Sequence, residues 1–332
     1  MGLRRCVCSV DTVDAGESVM KRLADIERFC LVGHLISMGF GLAGLLLVMP
    51  HPEFLSFVPA GQTLFRWSMA GGGVTYILLG TIAVAIYAYR MLGWRNWLTF
   101  MLPAVLISLS SELLGTSTGF PFGDYSYLSG LGYKIAGLVP FTIPLSWFYL
   151  GFSSYVLARA GLGRLFANRP WLWQVSAIAL GALLLTSWDF VLDPAMSQTA
   201  MPFWYWHQPG AFFGMPYQNF AGWLGTGIIF MTVAALFWRK RSIVLPASQL
   251  DFPLVVYLGN FAFAMIMSMA AGFWIPIGLG LLVGVVPAVV CWKLAQVRSL
   301  TGIDAADVML SSSQASSLDK PTTHTPVVVS TK

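Results

Sequence analysis

The chain has 332 residues, of which 57% are hydrophobic and only 10% charged, with a formal charge of +5. A soluble domain carries roughly 25% charged residues, so this composition excludes a water-soluble globule and leaves an integral membrane protein. It also excludes a nucleic-acid binder, which needs a dense basic surface; the excess of bases is read instead from where they fall along the chain.

Residues 1–27 are of mixed charge, lack the apolar centre of a signal peptide, and read as a cytoplasmic N-terminal extension. Met20, followed by Lys21 and Arg22, offers an alternative start, so residues 1–19 are dispensable on this reading. A spanning helix needs about 20 apolar residues, and eight stretches qualify: roughly 28–49, 69–90, 97–115, 136–159, 172–193, 217–238, 252–272 and 275–297. The fold class expected is all-α, a polytopic membrane bundle of about eight helices forming one catalytic domain over 28–297. All Lys and Arg except Arg66 and Lys134 fall before or at the start of the first stretch, in every second loop or at the stretch ends beside it, or at and after the end of the last. The positive-inside rule therefore places both termini in the cytoplasm. From residue 298 to 332 the chain turns Ser/Thr-rich and reads as a disordered cytoplasmic tail. Cys6, Cys8, Cys30 and Cys291 have neither the number nor the spacing of a metal site or a disulfide framework.

Two longer loops, about 116–135 and 194–216, face outward and are rich in Gly, Pro and aromatics. Each follows a helix that ends in acids: Glu112 closes the third, and Asp189 and Asp193, four apart on one helix face, close the fifth. Acids at membrane depth face the bundle interior and mark functional sites by default, the bland alternative being a capping role. A desolvated carboxyl without a cationic partner favours its neutral form and can serve as a proton donor. The first loop reads G-F-P-F-G-D-Y-S-Y and supplies Asp124, Tyr125 and Tyr127. Trp188 stands beside Asp189, and the second loop with the start of the stretch after it brings Trp204, Trp206, His207, Asn219 and Trp223. An interfacial belt accounts for some of these rings; aromatic faces beside an acid also stabilise a carbocation. His34 and Asn260, inside spans, read as ties between helices.

These segments carry a resemblance. E-L-L-G-T-S-T-G-F-P-F-G-D-Y-S-Y (112–127), V-P-F-T-I-P-L-S-W (139–147), D-F-V-L-D-P (189–194) and W-Y-W-H-Q-P-G-A-F-F-G-M-P-Y-Q-N-F-A-G-W (204–223) together resemble the CruF-type carotenoid hydratases. These are membrane enzymes of carotenoid biosynthesis, and the likeness covers roughly 30–295. The resemblance implies addition of water across the terminal C1′=C2′ double bond of an acyclic end group, on a γ-carotene-like or lycopene-like substrate. It implies a tertiary 1′-hydroxy product, which in some bacteria leads toward myxol glycosides. It also implies a plasma or thylakoid membrane location, with the carotenoid in the bilayer and other enzymes of its synthesis as partners.

The residues give this reaction a mechanism. Protonation of a trisubstituted alkene leaves a tertiary cation, which water captures. Glu112 or Asp189 is the expected proton donor, and Asp193, Asp124 or His207 the group that positions and deprotonates water, with no metal and no cofactor required. A forty-carbon polyene, about as long as the ~30 Å hydrocarbon core is thick, is expected to lie among the helices. Two other classes compete. D-F-V-L-D has the D-x-x-x-D form of a polyprenyl transferase site, although no second acidic cluster or phosphate-binding bases accompany it. Membrane acids on several spans also suit a proton-coupled transporter.

Overall fold

The computed structural model describes residues 10–297 apart from 167, 200, 209, 240–242 and 244. The tail expected over 298–332, and Cys6 and Cys8, lie outside the described residues. Helix α1 (Val10–Ala43) begins well before the first apolar stretch and ends in a wide π turn, Gly44–Val48. Helix α2 (Gly61–Thr118) takes in both the second and third stretches. At 1.5 Å per residue its 58 residues are long enough for two crossings. It bends at Gly93, whose φ of 74° and ψ of 163° suit a residue without Cβ.

The fourth stretch starts later than the expected residue 136. Lys134–Ile135 (β2) and Val139–Pro140 (β3) form a small hairpin instead, and α3 runs over Thr142–Leu165. Helices α4 (Pro170–Ser197), α5 (Tyr217–Trp238), α6 (Asp251–Ala270) and α7 (Trp274–Gly280) follow, the last continuing through a π turn to Val297. Among the described residues six helices are long and apolar enough to cross a membrane, the 58-residue α2 counting once. The chain is an all-α polytopic membrane protein. Its small strands close no sheet of more than two members.

Burial separates inner from outer helices. From Leu184 to Ser197 every residue of α4 is buried, as is every residue of α3 from Ser146 to Arg159. A helix apolar or buried all round belongs at the centre of a bundle. Exposed Phe29, Val32, Ile36 and Phe40, at helical spacing, form an outer stripe on α1. Such a stripe faces lipid, not water.

The two long loops meet at one end of the bundle. Tyr125–Tyr127 (β1) pairs antiparallel with Trp204–Trp206 (β4), with Tyr125 opposite Trp206 and Tyr127 opposite Trp204. Side chains alternate across a strand, so Tyr125, Tyr127 and Trp204 are buried under the pair while Tyr205 is exposed on its outer face. At the opposite end Arg90 donates to Glu27 at 2.5 Å and joins α2 to α1. There too Trp238 of α5 donates to Asn96 and Thr99 beyond the Gly93 bend.

Candidate active site: three acids around one aromatic cavity

The ends of α2, α4 and α5 converge beneath the β1–β4 pair. Close approach there depends on Gly222: a Cβ at this position would stand 2.4 Å from the Phe122 ring, so the glycine lets α5 seat against the loop that follows α2. A cavity of about 50 Å³ remains between these elements, room for roughly three water molecules. Glu112, Asp189 and Asp193 all line it, each 3% exposed or less. Tyr125, Tyr127, Trp188, Trp204, Trp206, Asn219 and Trp223 line it too.

The acids differ in their hydrogen-bond partners. Tyr125 and Tyr127 donate to Glu112 Oε2, the latter at 2.9 Å, and Trp147 Nε1 donates to Oε1 at 2.9 Å. Asp193 is equally surrounded: Trp206 Nε1 (2.9 Å) and Ser197 Oγ (3.0 Å) donate to Oδ1, and Trp204 Nε1 (3.1 Å) to Oδ2. Indole N–H groups can only donate, so both carboxyls are held as acceptors. Asp189 takes a single donor among the described residues, Asn219 Nδ2 at 2.7 Å on Oδ2. The same amide nitrogen lies 3.5 Å from Asp193 Oδ2 and bridges the two aspartates.

The phenols are built to remain donors. Burial first, and then the Glu112 carboxyl, push Tyr125 and Tyr127 well above the ordinary phenol range, which keeps both protonated. The rings also pack on one another. Trp147 stacks on Trp223 with centroids 4.0 Å apart, Trp188 meets Trp223 edge-on, and Tyr125 lies 5.1 Å from Trp206. The cavity wall is thus a shell of π-faces with three carboxyls set into it.

Asp124 and His207 are not brought into this cavity. Each stands one residue beyond an inward-facing ring, and strand alternation turns them to the outer face of the pair. There the His207 ring lies 2.8 Å from Ser126 Oγ and 4.0 Å from Asp124, and both side chains are substantially exposed. Trp147, which lines the cavity and donates to Glu112, is the neighbour that the loops and acids alone do not reveal. Its signal was the S-W closing V-P-F-T-I-P-L-S-W, and it lies inside a helix and not in an aromatic loop. Ser197, one turn beyond Asp193, is a second. Among the described residues no group of three or more His, Cys, Asp or Glu is arranged to hold a metal ion. Cys30 and Cys291 are buried free thiols.

A polytopic helix bundle with buried acids in an aromatic cavity at one end defines a class of intramembrane protein whose site suits an apolar ligand. The chain belongs to the carotenoid biosynthesis protein family, whose model matches residues 72–287 and so takes in every cavity residue named above. It is 37% identical over 124 residues to the bisanhydrobacterioruberin hydratase of Haloarcula japonica. That match covers 37% of this chain and spans 40% of the relative. No solved structure matches the chain.

Proposed function

We propose that the protein is a carotenoid hydratase that adds water to the terminal C1′=C2′ double bond of an acyclic end group, giving a tertiary 1′-hydroxy carotenoid. The observation that carries this reading is the unequal solvation of the three acids within one small aromatic cavity. Asp189, with a single donor, is the acid that carries the transferable proton. It protonates the less substituted alkene carbon and leaves a tertiary cation among Trp147, Trp188 and Trp223. Glu112 and Asp193, held as acceptors by phenol and indole donors, supply negative potential beside that cation. Water in the cavity then forms the C–O bond, and its surplus proton returns to the Asp189 carboxylate. Atoms and charge balance over the cycle, and the chemistry calls for no metal or organic cofactor.

The family and the hydratase relative support the reading, as does the closeness of the acids to rings and not to bases. No Lys or Arg lines the cavity, and the Asp193 oxygens are occupied by indole and hydroxyl donors. Both points weigh against a magnesium–diphosphate site at D-F-V-L-D. The substrate is a γ-carotene-like or lycopene-like carotenoid dissolved in the bilayer of a bacterial plasma or thylakoid membrane, handed on by other enzymes of its synthesis. The test is expression in bacteria that accumulate lycopene or γ-carotene, with mass spectrometry of the pigments. A product heavier by one water is expected. Unchanged pigments despite inserted protein would overturn the assignment.

A further inference from the structure

The acid cavity has no room for a polyene, and the bundle core beneath it is filled. Below the cavity residues Tyr76 and Trp188, His34 Nδ1 lies 2.7 Å from the Tyr76 carbonyl. The His34 Nε2 atom takes the Asn260 amide at 3.0 Å, and Asn260 Oδ1 accepts the Tyr149 hydroxyl at 3.1 Å. All three side chains are buried, and a Cβ at Gly80 would stand 2.8 Å from the imidazole. A long chain cannot pass along the bundle axis through this plug. An end group at Asp189 must therefore have its tail leave sideways.

A second cavity offers that exit. It measures about 310 Å³ and lies between the ends of α1, α4 and α6, with walls that include Leu45, Leu46, Met49, Met201, Met267 and Phe273. Its rim residues Ala270 and Ala271 are exposed. A chain of contacts joins it to the acid cavity. One helical turn before Leu45 and Met267 stand Gly41 and Phe263, neighbours close enough that a Cβ at Gly41 would stand 3.9 Å from the Phe263 ring. The Phe263 ring stacks at 5.9 Å on Tyr76, which lines the acid cavity. At the end of α4 Met196 lines the acid cavity, and Gln198, just past that helix, lines the second one. Met196 on the wall of the acid cavity and Met267 on that of the second carry unbranched thioether chains, which change rotamer readily.

We propose that the second cavity is the binding site for the polyene chain, and that the end group reaches the acids when the Met196 and Met267 side chains swing aside. This rests on the hydratase reading and adds to it the route and seat of the substrate's tail. An acyclic polyene suits the site because its wall is mainly apolar, Gln198 and Thr199 being the polar exceptions, and is linked to the reactive cavity through Met267, Phe263 and Tyr76.

The experiment fills the second cavity from two sides, in Ala271→Trp and in Leu46→Trp. Each purified variant is assayed with an acyclic carotene and with a short acyclic terpene that bears the same trisubstituted terminus. Conversion of the carotene should fall about tenfold or more while that of the terpene stays within about twofold of wild type. Equal losses on both substrates, or no loss on either, would overturn the proposed seat. A wild-type protein that hydrates neither would overturn the hydratase reading itself. If the wild type acts on carotene alone, thiol labelling of Ala271→Cys decides the matter: carotene must slow it, and unchanged labelling overturns the proposal.

Discussion

Asp189 and Asp193 stand one turn apart on the same helix, yet their surroundings differ, and the proposed mechanism gives them opposite tasks. Asp193 has its oxygens filled by Trp204, Trp206 and Ser197, whereas Asp189 has Asn219 alone. Replacing Asp189 by Asn should lower hydration by about 10²–10⁴-fold, the usual worth of a proton donor, with the helical spectrum unchanged. Asp124→Asn and His207→Ala, outside the cavity, should retain activity within about twofold in the same assay; a loss as large as that at Asp189 would restore them to the site. Trp147→Phe keeps a ring against Trp223 but removes the N–H to Glu112. A charge-assisted hydrogen bond contributes about 1.5–3 kcal/mol, so kcat should drop about tenfold to a hundredfold, with Trp147→Ala worse. At this scale the three acids were legible because carboxyls are rare at membrane depth. Their donors were less so, since no sequence spacing tells which oxygen an indole N–H will reach. The outward turn of Asp124 and His207 could have been read: Y-S-Y and W-Y-W alternate with period two, and both residues continue that alternation on the wrong face.

The element that roofs the site is the β1–β4 pair, three residues on each side. Its alignment is held by His207 N donating to Asp124 O at 2.9 Å and Leu128 N donating to Phe203 O at 2.8 Å. Antiparallel ladders alternate bonded and non-bonded pairs, so Ser126 and Tyr205, midway between these two, form the bonded pair at the centre of the roof. Tyr205→Pro removes that N–H and should release Trp204 and Trp206 from Asp193, with activity falling about tenfold or more while the helices persist by circular dichroism. Tyr205→Ala touches only the outer face and should leave turnover within about twofold. If the two variants behave alike, the strand pairing has no part in shaping the site. The apolar stretches forecast the long helices because their length is dictated by the bilayer. The short strands escaped because three-residue segments leave too weak a periodic signal. The break between the second and third stretches was legible too: they are two helical arms that part at Gly93, whose φ of 74° and ψ of 163° lie outside the helical region.

Across the whole molecule, charge and burial divide along the same axis. The cavity, the β1–β4 roof and the β2–β3 hairpin occupy one end, and the arginine-bearing Gly93 bend and the Glu27–Arg90 pair occupy the other. The inner position of α3 was the least legible feature at this scale. It carries Ser146, Ser153, Ser154 and Arg159 within its buried run, because a helix wrapped by other helices need not be as apolar as one facing lipid. The distribution of Lys and Arg gives an expectation for the sidedness of the two ends, which on the proposed reaction would decide which compartment supplies the water. The positive-inside rule gives the expectation that the roofed end faces away from the cytoplasm. In a cysteine-free background, Tyr133→Cys on the exposed β2–β3 side should react with a membrane-impermeant thiol reagent in intact cells. Trp94→Cys, exposed beside the Gly93 bend, should react only after permeabilisation. The reverse pattern would place the acids at the cytoplasmic face and make the scarcity of bases around them a property of the site alone, not of the membrane side on which it lies.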